Sequence, residues 1–142
     1  MMTIGGLSRR TGTPVRLLRA YEDMGLIYTA GRSTGNYRLF GDEATWCVEV
    51  VDRLRDLGLT LAEIRDLADA YLGRPQEPVG PALAAVLRGV RTRTEQRIDA
   101  LQCRLQRIAE FEAACAAELA GQADFRDTDP RARVDSPTGV RP

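Results

Sequence analysis

A glycine and a proline two residues apart, Gly12 and Pro14, divide the start of the chain into two short helical stretches. The first stretch places Ile4 and Leu7 on one face and is expected to end at Gly12. Thr13 is a suitable N-cap for the second stretch, and Pro14 is a suitable first helical residue. Two short helices joined by such a tight turn predict a helix-turn-helix.

The second helical stretch separates an apolar face from a basic face. Val15 and Leu18, which are expected to pack inward, recur with Tyr21 at intervals of three residues. Arg16 and Arg19 are also three residues apart, so they share one face of the helix. This stretch therefore has the pattern of a helix that lies against a negatively charged partner.

A β-hairpin is predicted after the second helix. Residues 26–28 and 37–40 are short β-prone runs, and the segment between them is rich in Gly, Ser and Asn. Arg32 is expected at the tip of the hairpin and Arg38 in its second strand. A helix-turn-helix followed by a small hairpin is a winged helix, so the predicted fold class is mainly α with a β-hairpin wing.

Two further helices are predicted after the hairpin, separated by a glycine. Asp42 is a suitable cap for the first helix, and Thr60 with Glu63 forms a capping box for the second. The apolar positions are Trp46, Val50, Leu54 and Leu57 in the first helix and Leu61, Ile64, Leu67, Ala68 and Tyr71 in the second. A proline-rich linker over residues 73–81 follows this predicted head, residues 1–72.

Residues 82–120 are predicted to form one long helix with a coiled-coil seam. The seam alternates spacings of three and four residues, with Glu112 as an interruption, and comprises Ile98, Leu101, Leu105, Ile108, Cys115 and Leu119. A single exposed helix cannot bury such a seam, and a second copy of the chain is the simplest partner. Residues 121–142 are rich in Asp, Arg, Pro and Gly and are expected to be disordered.

Charge is unevenly distributed along a chain whose formal net charge is zero. Residues 1–41 contain six arginines against Glu22 and Asp23, which are expected to be solvated or paired within the head. Residues 42–72 contain three arginines and eight acidic residues. All 20 basic residues are arginine, so any phosphate contact must use the planar guanidinium group. A compact basic segment is consistent with a nucleic-acid site.

The composition argues against several other classes of protein. Histidine, the commonest general base and metal ligand, is absent. The three cysteines are too few and too scattered for a disulfide framework. No apolar run approaches the ~20 residues of a membrane span. The N-terminal residues lack the apolar segment of a signal peptide, so we expect a cytoplasmic protein. We also expect no cofactor.

Four segments in this order resemble the MerR family of bacterial transcription regulators: IGGLSRRTG, VRLLRAYEDMGLI, RSTGNYRLF and DRLRDLGLTLAEIRDL. The resemblance covers residues 3–72 and extends in architecture to the long helix. It implies a homodimer held by an antiparallel coiled coil of residues 82–120, with two winged-helix heads on a palindromic promoter. Family dimers distort an unusually long promoter spacer for RNA polymerase, which is a form of indirect readout.

The resemblance also implies which residues meet DNA, with the second helix in the major groove. The implied contacts are Thr13, Arg16, Arg19, Tyr21, Arg32, Tyr37 and Arg38. Arg19 is assigned to a phosphate, and Arg16 to either a base edge or a phosphate. The hydroxyl of Tyr21 is assigned to the DNA backbone, with a core position as the alternative. Ala20 departs from the family, which usually has an aromatic residue at this position.

No effector follows from the residues. Cys115 lies where family metal sensors have the first cysteine of a loop, but the other two expected positions are Gly80 and Ala123. A single thiolate cannot build a closed site for a soft metal, so metal sensing is not expected. Cys115 is instead either a redox switch or a packing residue. Residues 121–142 are too few to enclose an organic effector.

Two functions therefore compete. The chain is either a DNA-binding transcription regulator or a protein-interaction adaptor whose winged helix has lost DNA binding. An adaptor has no need for the four arginines of the head, and these favour the regulator: Arg16, Arg19, Arg32 and Arg38. An enzyme is disfavoured because the sequence lacks a Gly-rich phosphate loop and a nucleophile motif.

Overall fold

The computed structural model describes residues 1–134 of the chain. Its helices are α1 (Ile4–Thr11), α2 (Val15–Asp23), α3 (Asp42–Asp56), α4 (Leu61–Gly73), α5 (Gly80–Ala114), α6 (Ala116–Leu119) and α7 (Pro130–Val134). Two strands, β1 (Gly31–Arg32) and β2 (Arg38–Leu39), lie between α2 and α3 in the chain. The chain forms two compact units, of which the first is Met1–Arg93 and the second begins at Thr94. The first unit thus includes the beginning of α5 as well as the head.

The predicted helix-turn-helix is present as α1 and α2. Thr3 caps α1 by accepting a hydrogen bond from a backbone N–H of the first turn, and Gly12 ends it in the left-handed conformation at φ 76°. Helix α2 begins at Val15, and Pro14 occupies the N-cap position without a side-chain cap. The prediction that Thr13 caps α2 is wrong, because its hydroxyl is turned toward α3 instead.

The predicted hairpin is present, but its first strand lies later in the chain than residues 26–28. Strands β1 and β2 pair antiparallel with Arg32 opposite Arg38, so Arg32 lies in a strand and not at the tip. Leu26 and Ile27 are buried in the core instead. Burial of two large apolar side chains contributes more than their pairing in a marginal two-stranded ribbon. The helices and this hairpin confirm the mainly α, winged helix-turn-helix class.

The face that α3 turns to the core agrees only in part with its predicted apolar positions, of which Leu54 packs against the core. Ala44, Val48 and Val51 are buried, while the predicted core residues Trp46 and Leu57 are 58% and 57% exposed. The buried face consists of small and β-branched residues, which allow α1 to pack closely against α3.

One of the two predicted caps in this region is confirmed. Asp42 does not cap α3, because it is the first helical residue and its carboxylate pairs with Arg10 at 3.2 Å. The capping box of α4 is present, with Thr60 and Glu63 each hydrogen bonding to the backbone N–H of the other. Helix α4 therefore starts at the residue that the sequence predicts.

The core of the first unit joins all of its helices to the hairpin. Its buried apolar residues are Leu7, Leu18, Tyr21, Leu26, Ile27, Phe40, Ala44, Val48, Val51, Leu59, Ile64, Leu67 and Val90. Phe40, directly after β2, also forms a β-bridge to Met2 that the sequence did not predict. The bridge holds the base of the wing against the N-terminus of α1.

Helix α5 is long, but shorter than the predicted helix of residues 82–120. It has 35 residues and spans about 52 Å at 1.5 Å per residue. The helix ends at Ala114, and Cys115 interrupts it before α6 with φ −115°. The predicted seam residues are exposed, namely Ile98 (49%), Leu101 (40%), Leu105 (67%), Ile108 (47%) and Leu119 (54%). No helix in the described residues is long and apolar enough to cross a membrane.

Residues 121–134, for which the sequence predicted disorder, contain local structure. Asp124 caps a 3₁₀ turn at Phe125–Asp127 through a second capping box. The ring of Phe125 stacks on that of Phe111, with ring centroids 6.2 Å apart and an interplanar angle of 18°. This single aromatic contact supplies the apolar anchor that the composition of the segment did not suggest. The remainder of the predicted tail, residues 135–142, lies outside the described residues.

Candidate nucleic-acid interface

Helix α2 presents two arginines on the side opposite its core contacts. Leu18 is fully buried, and Leu17 is partly buried against the same core. Arg16 and Arg19 are exposed. The structure therefore brings both predicted arginines of α2 to the surface of the head, where their guanidinium groups can meet an anion.

A hydrogen-bond network behind α2 connects this helix to α3. The carboxylate of Asp52 accepts hydrogen bonds from the hydroxyl of Thr13 at 2.5 Å and from the hydroxyl of Tyr21 at 2.6 Å. Arg55 donates to the same Tyr21 hydroxyl at 2.9 Å, and its guanidinium carbon lies 6.0 Å from the centroid of the Tyr21 ring. Burial, and next the hydrogen bond to Asp52, raises the pKa of Tyr21 above its usual value.

This network includes two of the residues that were predicted to contact DNA. Tyr21 is fully buried and Thr13 nearly so, and both hydroxyls are directed at Asp52. Tyr21 thus occupies the core position that the sequence left as its alternative. In this structure the two residues support α2 from behind and do not offer hydroxyls to a phosphate.

The wing places a second group of predicted residues at the surface. Arg38 is 54% exposed and its guanidinium donates a hydrogen bond to Glu22 of α2 at 2.6 Å. Arg32 donates to the backbone carbonyl of Asn36 at 3.2 Å across the hairpin, and Tyr37 is exposed. Glu22 is therefore paired within the head, as expected, and its partner is one of the proposed DNA contacts.

A shallow groove of about 190 Å³ lies where α2 meets the wing. Its lining residues are Thr3, Ile4, Arg19, Glu22, Tyr37, Arg38 and Phe40. Two of the predicted arginines, one from α2 and one from β2, thus border a single concave surface. We call the exposed arginines of helix and wing, Arg16, Arg19 and Arg38, the basic edge of the head; Glu22 is an acidic residue beside it.

Two residues of this region were not found from the sequence. Asp52 and Arg55 belong to α3, and helical spacing places them only on its polar side. Their role depends on the rotation of α3 about its own axis relative to α2. The residues of α3 alone do not determine that rotation. A pairing of polar residues across helices can be recognised only after the core face of α3 is known.

The three cysteines lie in separate parts of the described chain. Cys47 is partly buried in α3, Cys103 is exposed on α5, and Cys115 is partly buried at the break after α5. Burial, and next the charge of Glu43, raises the pKa of Cys47. Within residues 1–134 there is no group of three or more Cys, Asp or Glu side chains that could hold a metal ion.

Two family profiles match the chain. One, described as "MerR HTH family regulatory protein", matches residues 2–71, and one described as "MerR, DNA binding" matches residues 48–111. Together they cover residues 2–111, which include the winged helix and most of α5. The winged helix and the basic edge therefore lie inside the matched residues.

Individual relatives agree with these profiles. The chain is 36% identical over 73 residues to heavy metal-dependent transcription regulator 2 of Rhizobium meliloti, covering 51% of this chain and 50% of the relative. It is 30% identical over 97 residues to the ZntR homologue of Haemophilus influenzae, covering 67% of this chain and 72% of the relative. The chain thus spans about half the length of the first of these relatives and more of the second.

A solved structure supports the same relationship. The lead(II) complex of the transcription regulator PbrR691 from Ralstonia metallidurans CH34 is 32% identical to this chain and superposes with a TM-score of 0.60. The superposition covers 78% of this chain and 86% of PbrR691. By its fold, its family profiles and these relatives, the chain belongs to the MerR family of helix-turn-helix regulatory proteins.

Proposed function

We propose that this chain binds double-stranded promoter DNA through α2 and the wing, and thereby regulates transcription. The observation behind this proposal is the basic edge of the head. Arg19 of α2 and Arg38 of the wing border one groove, and Arg16 is exposed on the same face of α2 as Arg19. Exposed guanidinium groups on two adjacent elements can bind successive phosphates of a DNA backbone, which a protein partner does not require. The membership of the MerR family supports the same assignment.

In this proposal α2 enters the major groove and the wing lies along the flanking backbone. Arg19 and Arg38 bind phosphates, while Arg16 contacts a base edge or a phosphate. Arg32 and Tyr37 extend the surface along the wing. Thr13 and Tyr21 make no direct contact with DNA in this proposal, because their hydroxyls already donate hydrogen bonds to Asp52.

The proposed active form is a homodimer. The exposed apolar residues at Ile98, Leu101, Leu105 and Ile108 follow coiled-coil spacing on α5, and a second copy of α5 would cover them. Two heads related by a two-fold axis require a palindromic site. By family resemblance, the dimer distorts the promoter spacer so that RNA polymerase can use it.

The test is selection of DNA by the purified full chain from a random-sequence pool, followed by a mobility shift on the recovered duplex. We expect a palindromic sequence and binding that weakens linearly in log affinity against log salt concentration. Failure to bind any duplex at low salt would contradict the proposal and favour the adaptor. Recovery of a single half-site bound by a monomer would contradict the dimeric part alone.

A further inference from the structure

Helix α2 has few local devices to hold it in place. It has nine residues, its N-cap residue Pro14 makes no side-chain cap, and its end turns lack the charges that favour a helix dipole. An isolated helix of this length is marginal in water. The position of α2 in the head therefore depends on its contacts with other elements.

Asp52 of α3 accepts hydrogen bonds near both ends of this helix. One carboxylate oxygen accepts a hydrogen bond from Thr13, which precedes α2, and the other accepts from Tyr21 in the last turns of α2. The two donors are almost fully buried and Asp52 is half-buried, so the bonds are partly shielded from water. Arg55, also from α3, donates a hydrogen bond to the same Tyr21 hydroxyl.

The turn before α2 is also fixed through the backbone of Thr13, so the bond between Thr13 and Asp52 acts on a residue that is already held in place. The hydroxyl of Ser8 donates to the backbone carbonyl of Thr13 at 2.7 Å, and the backbone N–H of Thr13 donates to the hydroxyl of Thr11 at 3.3 Å. Thr13 is thus fixed by its backbone to α1 and by its side chain to α3. A helix that starts from such a residue has little freedom to slide or rotate.

We propose that Asp52 is a positioning residue for sequence recognition: it fixes α2, and with it Arg16 and Arg19, at the DNA without touching the DNA. This inference rests on the proposed function and adds a residue to it. A hydrogen bond to a base edge requires accurate placement of the side chain, while attraction to phosphates is long-ranged and tolerant of displacement. Loss of Asp52 should therefore reduce specific binding far more than non-specific binding.

The sign of the effect separates this role from simple electrostatics. Asp52 is negative, so its neutralisation alone should strengthen binding to any DNA. Glu49 on the same helix is exposed and supplies a matched control, since Glu49→Gln removes the same charge. We expect Glu49→Gln to leave the ratio of specific to non-specific affinity unchanged and Asp52→Asn to lower it.

The experiment uses the full chain and two duplexes of equal length. One is recovered by the wild-type protein from a random-sequence pool, and the other is its scrambled version. We expect Asp52→Asn and Asp52→Ala to lower the affinity ratio by roughly tenfold or more, the effect of losing one charge-assisted hydrogen bond. Thr13→Val and Tyr21→Phe should each lower it in part, and add little in the Asp52→Ala background because they act through the same carboxylate.

Each outcome decides between positioning and a merely structural role. A lower ratio in folded Asp52→Asn protein, with Glu49→Gln unchanged, supports the inference. An unchanged ratio, or equal loss on both duplexes, overturns it. If Asp52→Ala does not fold, the ratio in folded Thr13→Val protein decides in the same way. Failure of the wild-type protein to bind either duplex would refute the proposed function itself and would be seen before any variant is compared.

Discussion

Arg93 of α5 binds Glu63 of α4 through two hydrogen bonds, of 2.7 and 2.9 Å, to the two carboxylate oxygens. The same guanidinium donates to the backbone carbonyl of Gly58 at 2.6 Å. Glu63 is also the residue that completes the capping box by accepting from the backbone N–H of Thr60 at 2.8 Å. The start of α4 and the turn before it are therefore joined to α5 by one arginine.

This relationship predicts a pH dependence of stability. The hydrogen bonds from Arg93, and next that from Thr60, lower the pKa of Glu63 from 4.5 to about 2. A lowered pKa in the folded state means that the contribution is present above the ordinary pKa of 4.5 and is lost as the pH falls toward about 2. We expect Glu63→Gln to unfold at lower temperature than the wild type at neutral pH, and the difference to shrink across this window. Thermal melts recorded by circular dichroism test this, and a difference independent of pH would contradict it.

The arginines of α2 predict a change in salt dependence. Arg16→Ala and Arg19→Ala each remove one exposed guanidinium, which we expect to weaken DNA binding roughly tenfold at low salt. Arg19→Ala removes a phosphate interaction and should reduce the slope of log affinity against log salt by about 0.9. Arg16→Ala should do the same if Arg16 meets a phosphate, and should leave the slope unchanged if it meets a base edge. Mobility shifts over a salt series measure both quantities.

Arg65 on α4 provides the control for this comparison. It is exposed and lies outside the proposed DNA surface, so Arg65→Ala removes the same charge and leaves the proposed DNA contacts in place. We expect its slope to stay at the wild-type value. An equal slope change in Arg65→Ala would mean that only the net charge matters, and that the assigned contacts are incorrect.

The ion pair between Arg38 and Glu22 predicts opposite effects for its two members. Together they add no net charge to the wing edge, while Arg38→Ala leaves an unpaired carboxylate and Glu22→Gln leaves an unpaired guanidinium. We expect Arg38→Ala to weaken DNA binding with a flatter salt slope, and Glu22→Gln to strengthen it with a steeper slope. The double variant should keep the flatter slope of Arg38→Ala, because both proteins lack the phosphate contact of Arg38. Weaker binding by Glu22→Gln would indicate that the pair orients Arg38 and that Glu22 does not compete with phosphate.

The exposed seam of α5 predicts a change in oligomeric state. Leu101→Glu places a charge where the proposed coiled coil would bury it, so we expect monomers and poor binding to a palindromic duplex. Ala100→Glu introduces the same charge beside the seam and should leave the dimer intact. Sedimentation velocity measures the result directly. A dimer of unchanged stability in Leu101→Glu would refute the assigned seam.

Local signals in the sequence were enough to predict the winged helix, and the misses share one physical cause. Gly12 and the Thr60 capping box mark helix ends by backbone chemistry within a few residues, so both could be recognised without tertiary context. The rotation of α3 and the burial of Leu26 and Ile27 depend instead on which surfaces come together.

The same distinction applies to the candidate site. Arg16 and Arg19 follow from helical spacing, and the structure places both at the surface. Asp52 could not be assigned, because an acidic residue on the polar side of a helix has no local property that identifies its partners. The contact between Phe111 and Phe125 could not be predicted for a related reason, since the two rings belong to different elements.

Trp46, on the exposed side of α3, is the single tryptophan of the chain. Fluorescence excited selectively from indole therefore originates in the first compact unit, whatever happens along the seam or after it. Unfolding of the head can be followed by native fluorescence, while the ellipticity of the same sample reports on all the helices, including the part of α5 that follows the first unit. Comparison of the two signals in one sample therefore distinguishes unfolding of the head from loss of helix elsewhere in the chain.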